Sequence, residues 1–122
     1  MSQAGVDAHA NAGLTTHVLD TAKGKPASGI IISLFRLEDG ARLLLKTTVT
    51  NADGRTDEPL IARGLLETGR YELVFEVGAY FNLPEPRFLE SVPICFGIAD
   101  TTAHYHVPLL VSPWAYSTYR GS

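Results

Sequence analysis

RYELVFEV, residues 70–77, decides the fold class. Tyr71, Leu73, Phe75 and Val77 fall on one side of a two-residue period, with Arg70, Glu72 and Glu76 on the other. Successive side chains of a strand point to opposite faces, so the segment predicts a strand with one face in a core and one toward water. The preceding stretches read the same way. GIIISLFRL (29–37) is a buried-strand candidate, apolar on both faces, and ARLLLKTTVT (41–50) sets Leu43, Leu45, Thr47 and Val49 on one side. Between them lies Asp39-Gly40, a hairpin signal, because a tight two-residue turn needs positive φ at its central positions.

Further out, LTTHVLD (14–20) is rich in β-formers and FLESVPICFGI (88–98) alternates again. Pro93 within the latter lacks an N–H, which assigns that strand to a sheet edge or a bulge. GAYFNLPEP (78–86) predicts one short helical turn, stopped by Pro84 and Pro86. AHYHVPLLVS (103–112) and AYSTYRGS (115–122) bring the count to about eight strands with turn signals at regular spacing. The expectation is an all-β, eight-stranded antiparallel β-sandwich with one short helix.

The chain has 122 residues, 45% hydrophobic and 19% charged, which suits one globular core. That core is assigned to a single domain, 14–122, preceded by a loose leader, 1–13. A net charge of -3 without any Lys/Arg run argues against nucleic acid, since phosphate binding needs a clustered positive field. No apolar run approaches the roughly 20 residues of a membrane span, and the N-terminal stretch lacks the layout of a secretory signal. A cytoplasmic protein is expected. The single cysteine, Cys95, allows no internal disulfide.

In AHYHVPLL, His104 and His106 share one face while Tyr105, Val107 and Leu109 form the other, core-like face. Two surface histidines would be the ordinary reading of an isolated H-x-H. A metal site would need a third and a fourth ligand; Cys95 lies in an unrelated strand and no carboxylate pair accompanies the histidines, so no metal is expected. His17 shares a face with Thr15 and Leu19, and Arg55 follows the Asn51-Ala52-Asp53-Gly54 turn. Taken singly, each is an unremarkable residue. Their combination with the terminal Tyr119-Arg120-Gly121-Ser122 is more specific, because chain ends are usually compositionally careless.

LTTHVLDTAKGKPA, TNADGRTDEP and YHVPLLVSPWAYSTYRGS together resemble the transthyretin-like family, over nearly all of the chain from Leu14. Within it they are similar to the enzyme branch that hydrolyses 5-hydroxyisourate in urate degradation, with Tyr-Arg-Gly-Ser the most diagnostic element. The resemblance implies a sandwich assembled as a homotetramer, with strands of facing subunits lining a central channel. It carries His17, Arg55, His106 and Ser122 over as catalytic residues. His17, Arg55, Tyr119 and Arg120 are carried over as substrate-binding ones.

The implied reaction opens the ring of 5-hydroxyisourate with water to give 2-oxo-4-hydroxy-4-carboxy-5-ureidoimidazoline. A histidine suits activation of that water, because an imidazole near its unperturbed pKa of about 6.5 is available as a neutral base. Arg55 offers a planar fork of donors for ring carbonyls. Tyr119 would hold the purine edge, and Arg120 and Ser122 would order the wall of the site, Ser122 as a possible donor. No Ser-His-Asp grouping or G-x-S-x-G is legible, and no metal or organic cofactor is required. The rivals are a transthyretin-type carrier that holds a small aromatic ligand without turnover, and an accessory sandwich module. A carrier has no need of two histidines and an arginine directed into one channel.

Overall fold

The computed structural model describes residues 13–121, which form two four-stranded sheets packed face to face with a two-stranded extension. One sheet has the order β5-β4-β6-β7: β4 is Ile31–Glu38, β5 Ala41–Val49, β6 Gly69–Phe75 and β7 Val92–Ile98. The other has the order β10-β9-β2-β3, from β2 (Val18–Asp20), β3 (Lys25–Pro26), β9 (Leu109–Val111) and β10 (Tyr116–Thr118). The extension pairs β1 (Leu14–Thr15) with β8 (Tyr105–His106). The segments β1 and β2 are one strand interrupted at Thr16-His17, and β8 and β9 one strand interrupted at Val107-Pro108. The ten short segments therefore amount to the eight strands expected.

Alternation builds the core. In β6, Tyr71, Leu73 and Phe75 are buried, and Val77 stays buried at the start of the short helix α1 (Val77–Phe81). They meet Ile32 and Leu34 from β4, Val92 and Ile94 from β7, Val18, Leu109 and Val111 from the facing sheet, and Leu14 from the extension. Each such side chain contributes roughly 1.5–3 kcal/mol of apolar burial. Helix α1 is tied to the opposite sheet by a polar contact: the Tyr80 hydroxyl donates to Asp20 Oδ2 at 2.8 Å. Asp20 is fully buried, and its Oδ1 accepts the backbone N–H groups of Ala22 and Lys23. Burial, then the bond to Asp20, pushes the Tyr80 phenol up to about 12.

The Asp39-Gly40 turn forms the expected hairpin, with φ of 50° and 77°, and joins Glu38 to Ala41 in register. β7, with Pro93, is an edge strand, as a residue without an N–H requires. Two features differ from the sequence expectation. The pairings of β1 with β8 and of β2 with β9 are parallel, so the sandwich is antiparallel everywhere except along this seam. The two strands are some 90 residues apart in the chain, and so long a connection leaves either direction open. In β5 the register shifts opposite Leu34 and Phe35, and Leu43, Leu44 and Leu45 are all at least 49% exposed. Thr47 and Val49 lie opposite Ser33 and Ile31, so the Leu45, Thr47 and Val49 side of the strand is its outer face, and Leu43, past the bulge, lies opposite Arg36. Ile31 likewise faces out, so β4 buries one face and not both.

Of the leader assigned to 1–13, only Gly13 lies within the described residues, and it is packed: its N–H donates to Ile61 O at 3.0 Å. Residues 1–12 and Ser122 lie outside them. No helix among the described residues is long and apolar enough to cross a membrane.

Candidate active site

The parallel seam assembles the histidines. The strand containing β1 and β2 turns Leu14, Thr16 and Val18 into the core and Thr15, His17 and Leu19 out of it. Beside it, Tyr105, Val107 and Leu109 point inward, leaving His104 and His106 on the outer face with Thr15 and His17. Register fixes the juxtaposition: Thr15 lies opposite His106, the Thr15 carbonyl accepts the Val107 N–H, and the His17 carbonyl accepts the Leu109 N–H. The Thr15 hydroxyl lies 2.8 Å from His106 Nδ1 and 3.3 Å from His104 Nε2.

His17 receives the second element, the Asn51–Arg55 turn. Asn51 Oδ1 accepts the backbone N–H groups of Asp53 and Arg55, and the Asn51 N–H donates to the Arg55 carbonyl at 2.7 Å. This Asx-type turn is closed by Gly54 at φ +75°, a conformation that favours glycine. Gly54 also lies against the strand, its carbonyl accepting the Val18 N–H at 2.8 Å. A methyl group there would come within 2.4 Å of the Val18 carbonyl oxygen and 3.2 Å of the His17 ring. The turn thus presses Asp53, Gly54 and Arg55 around His17. Burial, and then the Arg55 guanidinium, hold the His17 imidazole below the usual histidine range, against a hydrogen bond to the Asp53 backbone and the pull of its carboxylate. His17 is therefore neutral near neutral pH, and a proton placed on it faces an arginine.

The third element is Tyr119-Arg120-Gly121, which folds back along β8. The Gly121 N–H donates to the His106 carbonyl at 2.7 Å in an antiparallel bridge. A Cβ at Gly121 would stand 2.9 Å from His106 Cδ2, so glycine is what allows the chain to lie against the imidazole. Arg120 is placed differently from the histidines. Its guanidinium lies 4.3 Å from the centre of the Tyr105 ring and its Nη2 reaches the His104 carbonyl at 3.5 Å. Tyr105 and His106 point to opposite sides of the strand, so Arg120 sits on the reverse of the histidine face in this chain. Tyr119 is largely exposed, and with Arg120, Thr118, Phe96 and Ile94 it lines an apolar cleft of about 220 Å³ between the β7 and β10 edges. Ser122 is outside the described residues.

The structure therefore brings His17 and Arg55 together, and His106 onto the same sheet face. Sequence reasoning missed Thr15 and the two glycines as members of the site. Thr15 shares the face of His17, which was legible; its contact with His106 was not, since it depends on a pairing across 91 residues. Cys95 lies away from the histidines but beside that cleft, its thiol 3.6 Å from Glu72 Oε2, and burial followed by that carboxylate raises its pKa. Among the described residues no cluster of three or more His, Cys, Asp or Glu side chains is placed to hold a metal ion.

The HIUase/Transthyretin family pattern matches residues 14–121. The chain belongs to this family. Among HIUase/Transthyretin relatives, the 5-hydroxyisourate hydrolase 2 of Rhizobium meliloti (strain 1021) is 60% identical over 114 residues, covering 89% of this chain and 95% of that protein. The crystal structure of (S)-allantoin synthase superimposes with a TM-score of 0.83 at 44% identity over 96% of this chain. This chain spans only 46% of that longer one. The structure of Klebsiella pneumoniae 5-hydroxyisourate hydrolase gives a TM-score of 0.72 at 40% identity, covering 89% of this chain and 98% of that one.

Proposed function

We propose that this chain is a 5-hydroxyisourate hydrolase that opens the ring of its substrate with water activated by histidine. The observation that carries this reading is the outer face of the β1–β2 and β8–β9 strands. His106 is held there through Nδ1 by a buried hydroxyl, and on the same face His17 is kept neutral beside Arg55. Such a face supplies a base, a polar neighbour for water and a fixed cation. The similarity to hydrolases of this substrate, 60% identical in the first case given, supports the enzyme over a carrier built on the same sandwich.

His106 is the base in this reading. A base must become cationic, and Arg55 opposes that charge on His17, so His17 serves better as the neutral partner that orients water. Water adds to a ring carbonyl carbon as His106 takes its proton, the ring C–N bond breaks, and the departing nitrogen takes a proton in turn. The product is 2-oxo-4-hydroxy-4-carboxy-5-ureidoimidazoline. Arg55 pairs with the oxygens on which charge develops. Tyr119 bounds the substrate in this reading, and Arg120, seated on Tyr105 behind the histidine face, holds the fold-back of the terminal segment.

A single sheet face is open to solvent, so the site closes against a second copy. The edges β7 and β10 flank one cleft lined by the exposed Tyr119, and Trp114 and Tyr116 are exposed at and just before β10, as an assembling surface requires. A homotetramer in which facing sheets enclose the substrate satisfies both needs. Light scattering should then give a mass about four times the 13.2 kDa of the chain, and a monomer mass would refute the assembly.

Decay of 5-hydroxyisourate made in situ by urate oxidase tests the assignment of roles. His106→Ala loses at least about 10²-fold in kcat, the usual range for a general base. His17→Ala with a larger loss than His106→Ala would reverse the two roles.

A further inference from the structure

The His104–Thr15–His106 contact goes beyond positioning one ring. Thr15 is 1% exposed, so no bulk water competes for its hydroxyl. Oγ1 lies 2.8 Å from His106 Nδ1 and 3.3 Å from His104 Nε2. The two rings are 14° from parallel with centres 6.4 Å apart, with the hydroxyl bridging them. A hydroxyl has one proton to give and lone pairs to accept with. Its single proton can go to only one of the two nitrogens, so at least one imidazole must donate to it. The arrangement that also uses the hydroxyl proton between the rings couples them: a proton on His106 Nδ1 goes with a lone pair on His104 Nε2, or the reverse.

We propose that Thr15 and His104 are positioning residues that set the tautomer of His106, through the relay His106 Nδ1–H to Thr15 Oγ1–H to His104 Nε2. This rests on the reading of His106 as the base. In this setting His106 carries its proton on Nδ1 and presents the Nε2 lone pair for proton transfer. When Nε2 takes the proton from water, Nδ1–H remains a donor to Oγ1, and the hydroxyl still has the His104 nitrogen to donate to. The resulting imidazolium is then stabilised by two aligned dipoles in place of the carboxylate that orients the base of a Ser-His-Asp triad. No covalent bond forms or breaks in the relay. The H-x-H spacing gains a meaning: its first histidine accepts from the hydroxyl that orients the second.

The test uses the full chain. Thr15→Val removes the hydroxyl and keeps the β-branched shape; Thr15→Ser restores the hydroxyl; His104→Phe removes the terminal acceptor and keeps a ring. Two readouts are taken: kcat and KM for 5-hydroxyisourate, and the His106 tautomer from long-range ¹H–¹⁵N NMR of histidine-labelled protein. The expected result is Nδ1-protonated His106 in the parent and a mixed or Nε2-protonated ring in Thr15→Val. The kcat of Thr15→Val falls about 10–100-fold, the usual range for an orienting partner, with KM nearly unchanged. Thr15→Ser restores both readouts, and His104→Phe loses less rate while loosening the tautomer.

An Nε2-protonated His106 in the parent overturns the relay, whatever the variants do. So does Thr15→Val with parental tautomer and kcat. If Thr15→Val does not fold, the parent tautomer and His104→Phe decide the matter. Failure of the parent to accelerate 5-hydroxyisourate decay would instead refute the proposed function, while the tautomer measurement would still report on the relay.

Discussion

Gly121→Ala perturbs the proposed base through a single methyl group. The φ of Gly121 lies outside the left-handed region, so alanine adds no backbone strain there. The new Cβ would nevertheless stand 2.9 Å from His106 Cδ2, 3.2 Å from its Cβ and 3.3 Å from its Cγ. Relief to an ordinary contact of about 3.4 Å or more requires the ring and the chain to separate by at least about half an ångström. A displacement of about 1 Å at a reacting group costs on the order of 10²-fold in rate, so kcat should fall about 10–100-fold.

The stability cost of the same change should be small. Gly121 is half-buried at the rim of the sandwich, where the chain can shift outward, so about 1 kcal/mol and a few degrees in Tm are expected. The assay pairs initial rates of 5-hydroxyisourate decay with thermal unfolding followed by circular dichroism. Parental kcat in a folded Gly121→Ala would refute the reasoning, because the Gly121 backbone would then have no part in holding His106. A loss of rate matched by gross destabilisation would refute it too.

Other consequences follow from the same contacts. Gly54→Ala meets both a positive φ and a 2.4 Å approach to the Val18 carbonyl, so it should destabilise by at least about 2 kcal/mol in denaturant unfolding. Arg55→Gln removes one of the causes that depress the His17 pKa, so the imidazole titration of His17 followed by NMR should move up toward the usual value. With the folded-state pKa of His17 below the unfolded one, the unfolded chain binds more protons between them. Its contribution to stability therefore falls as pH drops below about 6.5 and levels off below the folded-state value. Tyr80→Phe should cost about 1 kcal/mol at neutral pH by removing a bond to the buried Asp20 carboxylate. Because the Tyr80 pKa is raised to about 12, its contribution is whole below about 10 and is lost as pH rises through 12. The variant should show a flatter stability profile over that interval.

Local physics made much of this fold legible. The alternation of Tyr71, Leu73 and Phe75, the Asp39-Gly40 turn and the edge position forced by Pro93 each follow from constraints acting within a few residues. The outward face of His104 and His106 was legible for the same reason, since Tyr105, Val107 and Leu109 claim the core. Contacts decided by pairing across the chain could not be read this way. A threonine in a strand is an ordinary β-former, and nothing near Thr15 announces that its hydroxyl meets two imidazoles from the far end of the sequence. The parallel direction of that pairing has no local signature either. In β5, three successive leucines fit either register, and which of them faces out is set by the pairing with β4 and its bulge. The seat of Arg120 on the Tyr105 ring depends on the fold-back at Gly121, which composition does not encode.

The central claim is tested most directly by the decay of 5-hydroxyisourate, generated by urate oxidase and followed by absorbance with and without this protein. The account predicts decay that accelerates in proportion to protein concentration and returns to the spontaneous rate with His106→Ala. Decay at the spontaneous rate with folded parent protein would contradict it, and the same sandwich would then have to be understood as a binder.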